Sequence, residues 1–198
     1  MEISEYVLVP SIVSLRTNVN SIRNFMFGFR FENNSVDSID SEIKLTYLVV
    51  RYNDILNELK SNHYEMYYEI LVNDSATKFV FMKELLRVFK IVIFIDISNI
   101  KHPIVKVNTT YHTFFEIIKF SNLGHIYSPG VILHNILGMC LIMQGYIPLC
   151  GSAIELCGKA FLIFGMSGSG KSTLILKTLE LGGKVIGDDI IVVSKEGK

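Results

Sequence analysis

The chain has 198 residues, 49% of them apolar and 19% charged, with 19 basic residues balancing 19 acidic ones. That length accommodates one large domain or two small ones, and that composition supports a buried core where a disordered chain would be poorer in apolar residues. With a net charge of zero, nothing steers the chain broadly toward nucleic acid or an anionic membrane, and neither is expected as a partner.

Residues 5–15 and 25–31 have strand-like apolar and aromatic content, with Pro10 as a break, and 32–41, ENNSVDSIDS, reads as a polar loop. A strand resumes over 43–51, a short polar stretch over 53–62 reads as a turn of helix, and 64–72 alternates as a further strand. Asn73-Asp74-Ser75 is a turn signal before 77–82, which predicts a hairpin. Residues 83–90 fit helix and strand equally, 90–97 is an apolar strand, and 104–107 is a shorter one after Pro103. The first hundred residues are thus mostly β, without an internal repeat or a chemical motif. His63, His102, His112 and His125 are scattered and read as surface or core residues.

At Ser128-Pro129-Gly130 a turn introduces the most apolar run of the chain. Residues 131–143 fall short of the ~20 needed to span a bilayer and include His134 and Asn135, so 131–145 is expected as a buried helix. The three cysteines, Cys140, Cys150 and Cys157, are odd in number and lack C-x-x-C spacing, which argues against a disulfide framework and a zinc site. Each reads as a small buried residue in a reducing compartment, and the start MEISEYVLVP lacks the features of a signal peptide; the cytoplasm is the expected location. Residues 146–156 then lead through a Cys157-Gly158-Lys159 turn into the short strand 161–164, a hairpin.

That strand delivers the backbone into Gly165-Met166-Ser167-Gly168-Ser169-Gly170-Lys171-Ser172, which fits G-x-x-x-x-G-K-[ST] at every fixed position, with Thr173 next. Phosphate binding needs a loop whose amides curl inward, and side chains at the three glycines would obstruct the curl or the anion. Lys171 opens a helix over 172–181 whose positive end faces the same anion, and its ammonium adds a point charge toward the terminal phosphates. Ser172 is the expected Mg2+ ligand. Gly182-Gly183 ends the helix, and 184–193 is a β-rich run interrupted by Gly187-Asp188-Asp189. Adjacent strand residues point to opposite faces, so both carboxylates serve one site only if the strand bends or ends there, and Gly187 offers the bend.

The run PLCGSAIELCGKAFLIFGMSGSGKSTLILKTLELGGKVIGDD, residues 148–189, resembles the kinase core of the HPr kinase/phosphorylase family and its small-molecule and peptide serine-kinase relatives. Three features carry the resemblance: the G-S-A-I-E hairpin with its Gly158 turn, the S-G-S-G-K-S-T loop, and Gly187-Asp188-Asp189 on the strand immediately after the helix. The family shares a phosphate-binding core with ATP-dependent phosphoenolpyruvate carboxykinases. The resemblance implies an α/β fold, α+β overall, with a β-rich N-terminal domain over 1–125 followed by a P-loop kinase core over 126–198. Two departures stand out. Relatives commonly carry histidine where Cys150 stands, and a thiol is a poorer cation and donor; and the sequence ends at Lys198, where the family continues with further strands, helices and basic residues, so the core is expected to be incomplete.

The function so implied is an ATP-dependent serine kinase using ATP and Mg2+, phosphorylating a serine hydroxyl of a small molecule, peptide or protein. Gly165, Met166, Ser167, Gly168, Ser169, Gly170, Lys171, Ser172 and Thr173 would hold the nucleotide. Ser172, Asp188 and Asp189 would hold the metal, and Lys171, Asp188 and Asp189 would carry catalysis. The alternative is a truncated nucleotide-binding module without efficient transfer. An ordinary nucleoside-phosphate kinase or NTPase fits less well, since its loop usually lies near the start of the chain. Assembly into a homo-oligomer is compatible with either main reading.

Overall fold

The computed structural model describes residues 3–9, 12–19, 41–60, 63–67, 70–85, 89–119, 128–166, 168–188, 190–194 and 196. Strand content expected over 25–31 and the polar stretch 32–40 lie outside the described residues, as does His125. The chain divides into two compact units, Met1–Cys140 and Leu141–Lys198.

The first unit is built on an eight-stranded sheet in the order β1-β2-β3-β8-β7-β6-β5-β4. Strands β1 (Ser4–Val9) and β2 (Val13–Thr17) form an antiparallel hairpin across the break that Pro10 marks. β2 and β8 (Ile104–Asn108) both run parallel to the central β3 (Ile43–Val50), while β7 (Phe89–Asp96), β6 (Lys78–Leu85), β5 (Ile70–Asn73) and β4 (Tyr64–Tyr67) continue antiparallel. Beyond the end of β2 the Asn18 amide continues the pairing, donating to the Val49 carbonyl at 2.8 Å and accepting from its N–H at 2.9 Å.

Among the described residues, helices pack on both faces of this sheet. Helix α1 (Tyr52–Leu59) sets Ile55 among Val80, Val92 and Phe94, all fully or almost fully buried; enclosing a side chain of that size contributes about 1.5–3 kcal/mol. The Lys106 ammonium donates to Glu58 of α1 at 2.6 Å across the same face. Against the opposite face lies α2 (Thr109–Ile118), capped by Asn108, whose side chain accepts from the Tyr111 N–H. Its Tyr111 and Phe115 are buried one turn apart, Tyr111 beside Tyr47 of β3. Burial, together with that neighbour, holds the Tyr47 phenol well above its ordinary pKa, so both rings stay neutral.

Several expectations need correction. The run 64–72 is two strands, β4 and β5, paired antiparallel with Tyr67 opposite Ile70, because β-formers continue through the reversal and no turn residue marks it. Of 83–90, left open between helix and strand, the described residues are strand: β6 runs to Leu85 and β7 starts at Phe89, the two pairing in register over eight positions. The predicted Asn73 hairpin is present, with the Asn73 side chain accepting from the N–H groups of Thr77 and Lys78.

Helix α3 (Pro129–Gln144) contains the division between the two units. Ser128 does not end a separate turn; it caps the helix, its hydroxyl accepting from the Gly130 N–H with Pro129 in the first turn. At the other end Gly145, φ 90°, takes the left-handed position and the Tyr146 N–H returns to the Leu141 carbonyl. The helix is half buried where full burial was expected: Leu133, Ile136, Leu137, Cys140 and Leu141 are enclosed, whereas Val131, Met139, Ile142 and Met143 are exposed. Of the cysteines only Cys140 is buried, which pushes its thiol pKa up; Cys150 and Cys157 are exposed. Among the described residues no helix is long and apolar enough to cross a membrane.

The second unit holds two small sheets. A three-stranded sheet has the order β11-β10-β12, from β10 (Ser152–Leu156), β11 (Lys159–Ile163) and β12 (Lys184–Gly187); a two-stranded one pairs β9 (Ile147–Cys150) with β13 (Ile190–Val193). β11 and β12 are both antiparallel to β10 and therefore parallel to each other, and α4 (Lys171–Glu180) connects them. Together with the first unit this makes a mixed α/β molecule of the α+β kind.

Candidate nucleotide site

The hairpin that feeds the loop is a two-residue turn. Leu156 pairs with Lys159, and Cys157 (φ 52°) and Gly158 (φ 72°) both take positive φ, the pattern that matches the twist of the flanking strands. Gly151, just before β10, is closely packed: an added Cβ would lie 2.9 Å from the Ile163 carbonyl and 3.0 Å from the Phe164 ring. The start of β10 is thereby held against the residues that enter the loop.

Residues 164–166 and 168–170 belong to that loop between β11 and α4. Gly168 (φ 79°) and Gly170 (φ 90°) occupy left-handed backbone, and a Cβ on Gly165 would press on the Ser169 hydroxyl. Gly168 and Gly170 are therefore favoured by conformation, and Gly165 leaves the space that the Ser169 hydroxyl occupies. The Ser169 N–H closes a turn on the Met166 carbonyl at 3.1 Å. Lys171 reaches back over the loop, its ammonium donating to the carbonyls of Gly165 at 2.7 Å and Met166 at 3.0 Å. Gly170 caps α4 without a side-chain hydrogen bond, so the first-turn amides are uncapped from that residue, with the positive helix end beside the loop. An anion lying there would meet backbone donors, a helix dipole and a lysine already leaning over the loop.

Ser172 and Thr173 are exposed at the head of α4, while Ile175 and Thr178 form its buried side. The helix ends as the two glycines demand: Gly182 (φ 81°) donates to Leu179 and Gly183 to Thr178. A Cβ on Gly183 would sit 2.5 Å from the Thr178 methyl and 2.8 Å from the Glu155 carbonyl, so α4 approaches β10 as closely as the backbone allows.

The strand run 184–193 does end at its acidic step. β12 stops at Gly187 and pairs with β10; β13 starts at Ile190 and pairs with β9, and the Ile190 N–H bonds to the Asp188 carbonyl at 2.9 Å. Asp188 is exposed at this break, and the hydroxyl of Ser152, itself fully buried, donates to its Oδ1 at 2.5 Å. Sequence reasoning named Ser152 only within the G-S-A-I-E hairpin and gave it no role at the site, 36 positions from Asp188. Ser167 and Asp189 lie outside the described residues.

Among the described residues no group of three or more His, Cys, Asp or Glu side chains is gathered for a metal ion. Ser172 at the head of α4 and Asp188 just past the end of β12 each offer oxygen donors. Mg2+ is commonly held by one or two carboxylates with water and substrate phosphates completing its shell, so the residues fit a nucleotide-borne Mg2+ better than a resident cage. Apolar surface is also abundant in this unit: Phe161, Leu162 and Phe164 around β11, Leu176 and Leu181 around α4, and Ile186 on β12 are exposed.

No family model and no solved structure matches the chain. A protein of Chlorobium limicola described as HPr kinase/phosphorylase is 35% identical over 48 residues, 24% of this chain and 14% of that protein's length. The matched stretch spans only about a seventh of that relative. This partial similarity points to a kinase-like function at its coarsest.

Proposed function

We propose that the second unit binds ATP with Mg2+ and transfers the γ-phosphoryl group to a serine hydroxyl on a small molecule, peptide or protein. The observation that carries the reading is the loop between β11 and α4: two left-handed glycines, a third against the Ser169 side chain, and Lys171 folded across it. The 48-residue similarity to an HPr kinase/phosphorylase supports it.

Each residue then has a role. The loop residues Gly165 to Gly170 and the first turn of α4, with Thr173, surround the phosphates; Lys171 exchanges its two carbonyl partners for phosphate oxygens, which are stronger acceptors. Ser172 and one carboxylate of the Asp188–Asp189 pair face the Mg2+, which when bound neutralises phosphate charge. The other carboxylate takes the proton of the acceptor hydroxyl as its oxygen forms a phosphate ester at the γ-phosphorus, the phosphoanhydride bond to the ADP leaving group breaking in line. Catalysis in such a site is positioning and charge neutralisation.

A second reading, a module that binds nucleotide without efficient transfer, is favoured by Cys150: a thiol stands where relatives in the resemblance carry histidine, removing a donor from the acceptor side. Radiolabelled ATP offered with free serine, serine peptides and cell extract separates the two. Label on serine supports the kinase. Binding of ATP with no transfer to any acceptor leaves only the module, and the absence of both overturns the nucleotide assignment.

A further inference from the structure

We infer that Ser152 is a positioning residue for Asp188, tying the carboxylate to the phosphate loop through β10; the inference rests on the nucleotide reading above. The Ser152 backbone pairs with Ile163, the last residue of β11 before the loop, while its hydroxyl donates to Oδ1 of Asp188 beyond the end of β12. A single buried residue therefore contacts both halves of the site. Its neighbour Gly151 fixes one side, since the Ile163 carbonyl and the Phe164 ring leave no room for even a methyl group there.

The geometry matters because Asp188 is exposed and sits where the strand has stopped. Asp188 lies at the step between Gly187, paired with Ala153 in one sheet, and Ile190, paired with Cys150 in another, and an exposed carboxylate samples several staggered rotamers unless something holds it. The hydroxyl of Ser152 cannot wander: the residue is fully buried, and its donor is aimed at one carboxylate oxygen. A hydrogen bond to a charged acceptor is among the stronger kinds, and partners of this type tune metal-binding carboxylates by fixing their orientation. The bond thereby gives the Asp188 carboxylate a fixed direction.

The test uses the whole chain and titrates ATP with and without Mg2+ by calorimetry, in wild type, Ser152→Ala, Ser152→Thr, Asp188→Asn and the Ser152→Ala/Asp188→Asn double variant. Removing a partner of this kind weakens metal-dependent binding about 10- to 100-fold. Ser152→Ala should show that loss for ATP with Mg2+ but not for ATP in chelator, Ser152→Thr should recover most of it, and the double variant should bind no worse than Asp188→Asn. A Ser152→Ala variant that loses both kinds of binding in parallel, or neither, overturns the positioning role. A wild type that binds no nucleotide at all overturns the underlying reading instead, so the two failures are told apart by which protein fails.

Discussion

Replacing Gly183 by alanine probes the scaffold on which the candidate site depends. An added Cβ would lie 2.8 Å from the Glu155 carbonyl and 3.1 Å from the Thr178 carbonyl, besides 2.5 Å from the Thr178 methyl. The methyl contact can be relieved by a side-chain rotation, but the two carbonyls are backbone, one in β10 and one in α4 itself. Relief requires the end of α4 to lift from β10, and overpacking of this kind costs about 1–3 kcal/mol. Native-state hydrogen exchange on the whole chain should then report opening of residues 171–187 about 5- to 150-fold faster, at tenfold per 1.4 kcal/mol. Gly138→Ala provides the opposite case: within α3 its Cβ would meet nothing inside 4 Å, so the same substitution should slow exchange, by the ~0.5–1 kcal/mol that glycine costs a helix interior. Unchanged or slower exchange over 171–187 in Gly183→Ala would refute the close docking of α4 on β10.

Cys157→Asn should raise thermal stability by about 0.5–1 kcal/mol, since asparagine tolerates the left-handed backbone that cysteine occupies at φ 52°, and Cys157→Val should lower it; a melt showing the reverse order removes the two-residue turn. Burial pulls the Asp96 pKa up, but hydrogen bonds from Ser98 and the Lys78 ammonium outweigh it and the carboxyl sits below its ordinary value. The stability this contributes is therefore full above the unfolded value of 3.8 and is lost as pH falls through the lower folded value. Ser98→Ala should lose stability at neutral pH, with its difference from wild type vanishing in strong acid, and a difference independent of pH would contradict that linkage. Ser172→Ala should still bind ATP in chelator while losing most of the strengthening that Mg2+ brings, read by the same calorimetric titration; an intact Mg2+ effect would take Ser172 off the metal.

Local features of the fold are legible in the residues because their causes are local. Gly165 to Ser172 dictates a loop and a helix start, Cys157-Gly158 a tight hairpin, and Gly182-Gly183 a helix end, each by backbone conformation within a few positions. Helix α2 also leaves a local mark, with Asn108 as cap and Tyr111 and Phe115 spaced by one turn, yet β-branched and aromatic residues around it blur the helical signal. Long-range pairing leaves no such mark. Nothing in YEMYYEILV shows that the chain doubles back between Tyr67 and Ile70, and nothing in Lys184 to Val193 shows that its halves join different sheets. The bond from Ser152 to Asp188 is of the same kind, for it exists only because β10 lies between β11 and β12.

The central claim is that the loop over 164–170 and the first turn of α4 hold nucleotide phosphates. Calorimetric titration of the whole chain with ATP and Mg2+, set beside Lys171→Ala, tests it most directly. Among the described residues Lys171 bonds to loop carbonyls alone, so its removal should leave the fold and its melting point nearly intact. Losing its charge-assisted hydrogen bonds to phosphate should at the same time abolish or severely weaken binding. Saturable binding in wild type that disappears in a folded Lys171→Ala protein is the predicted result; equal affinity in the two proteins, or none in wild type, would contradict the account.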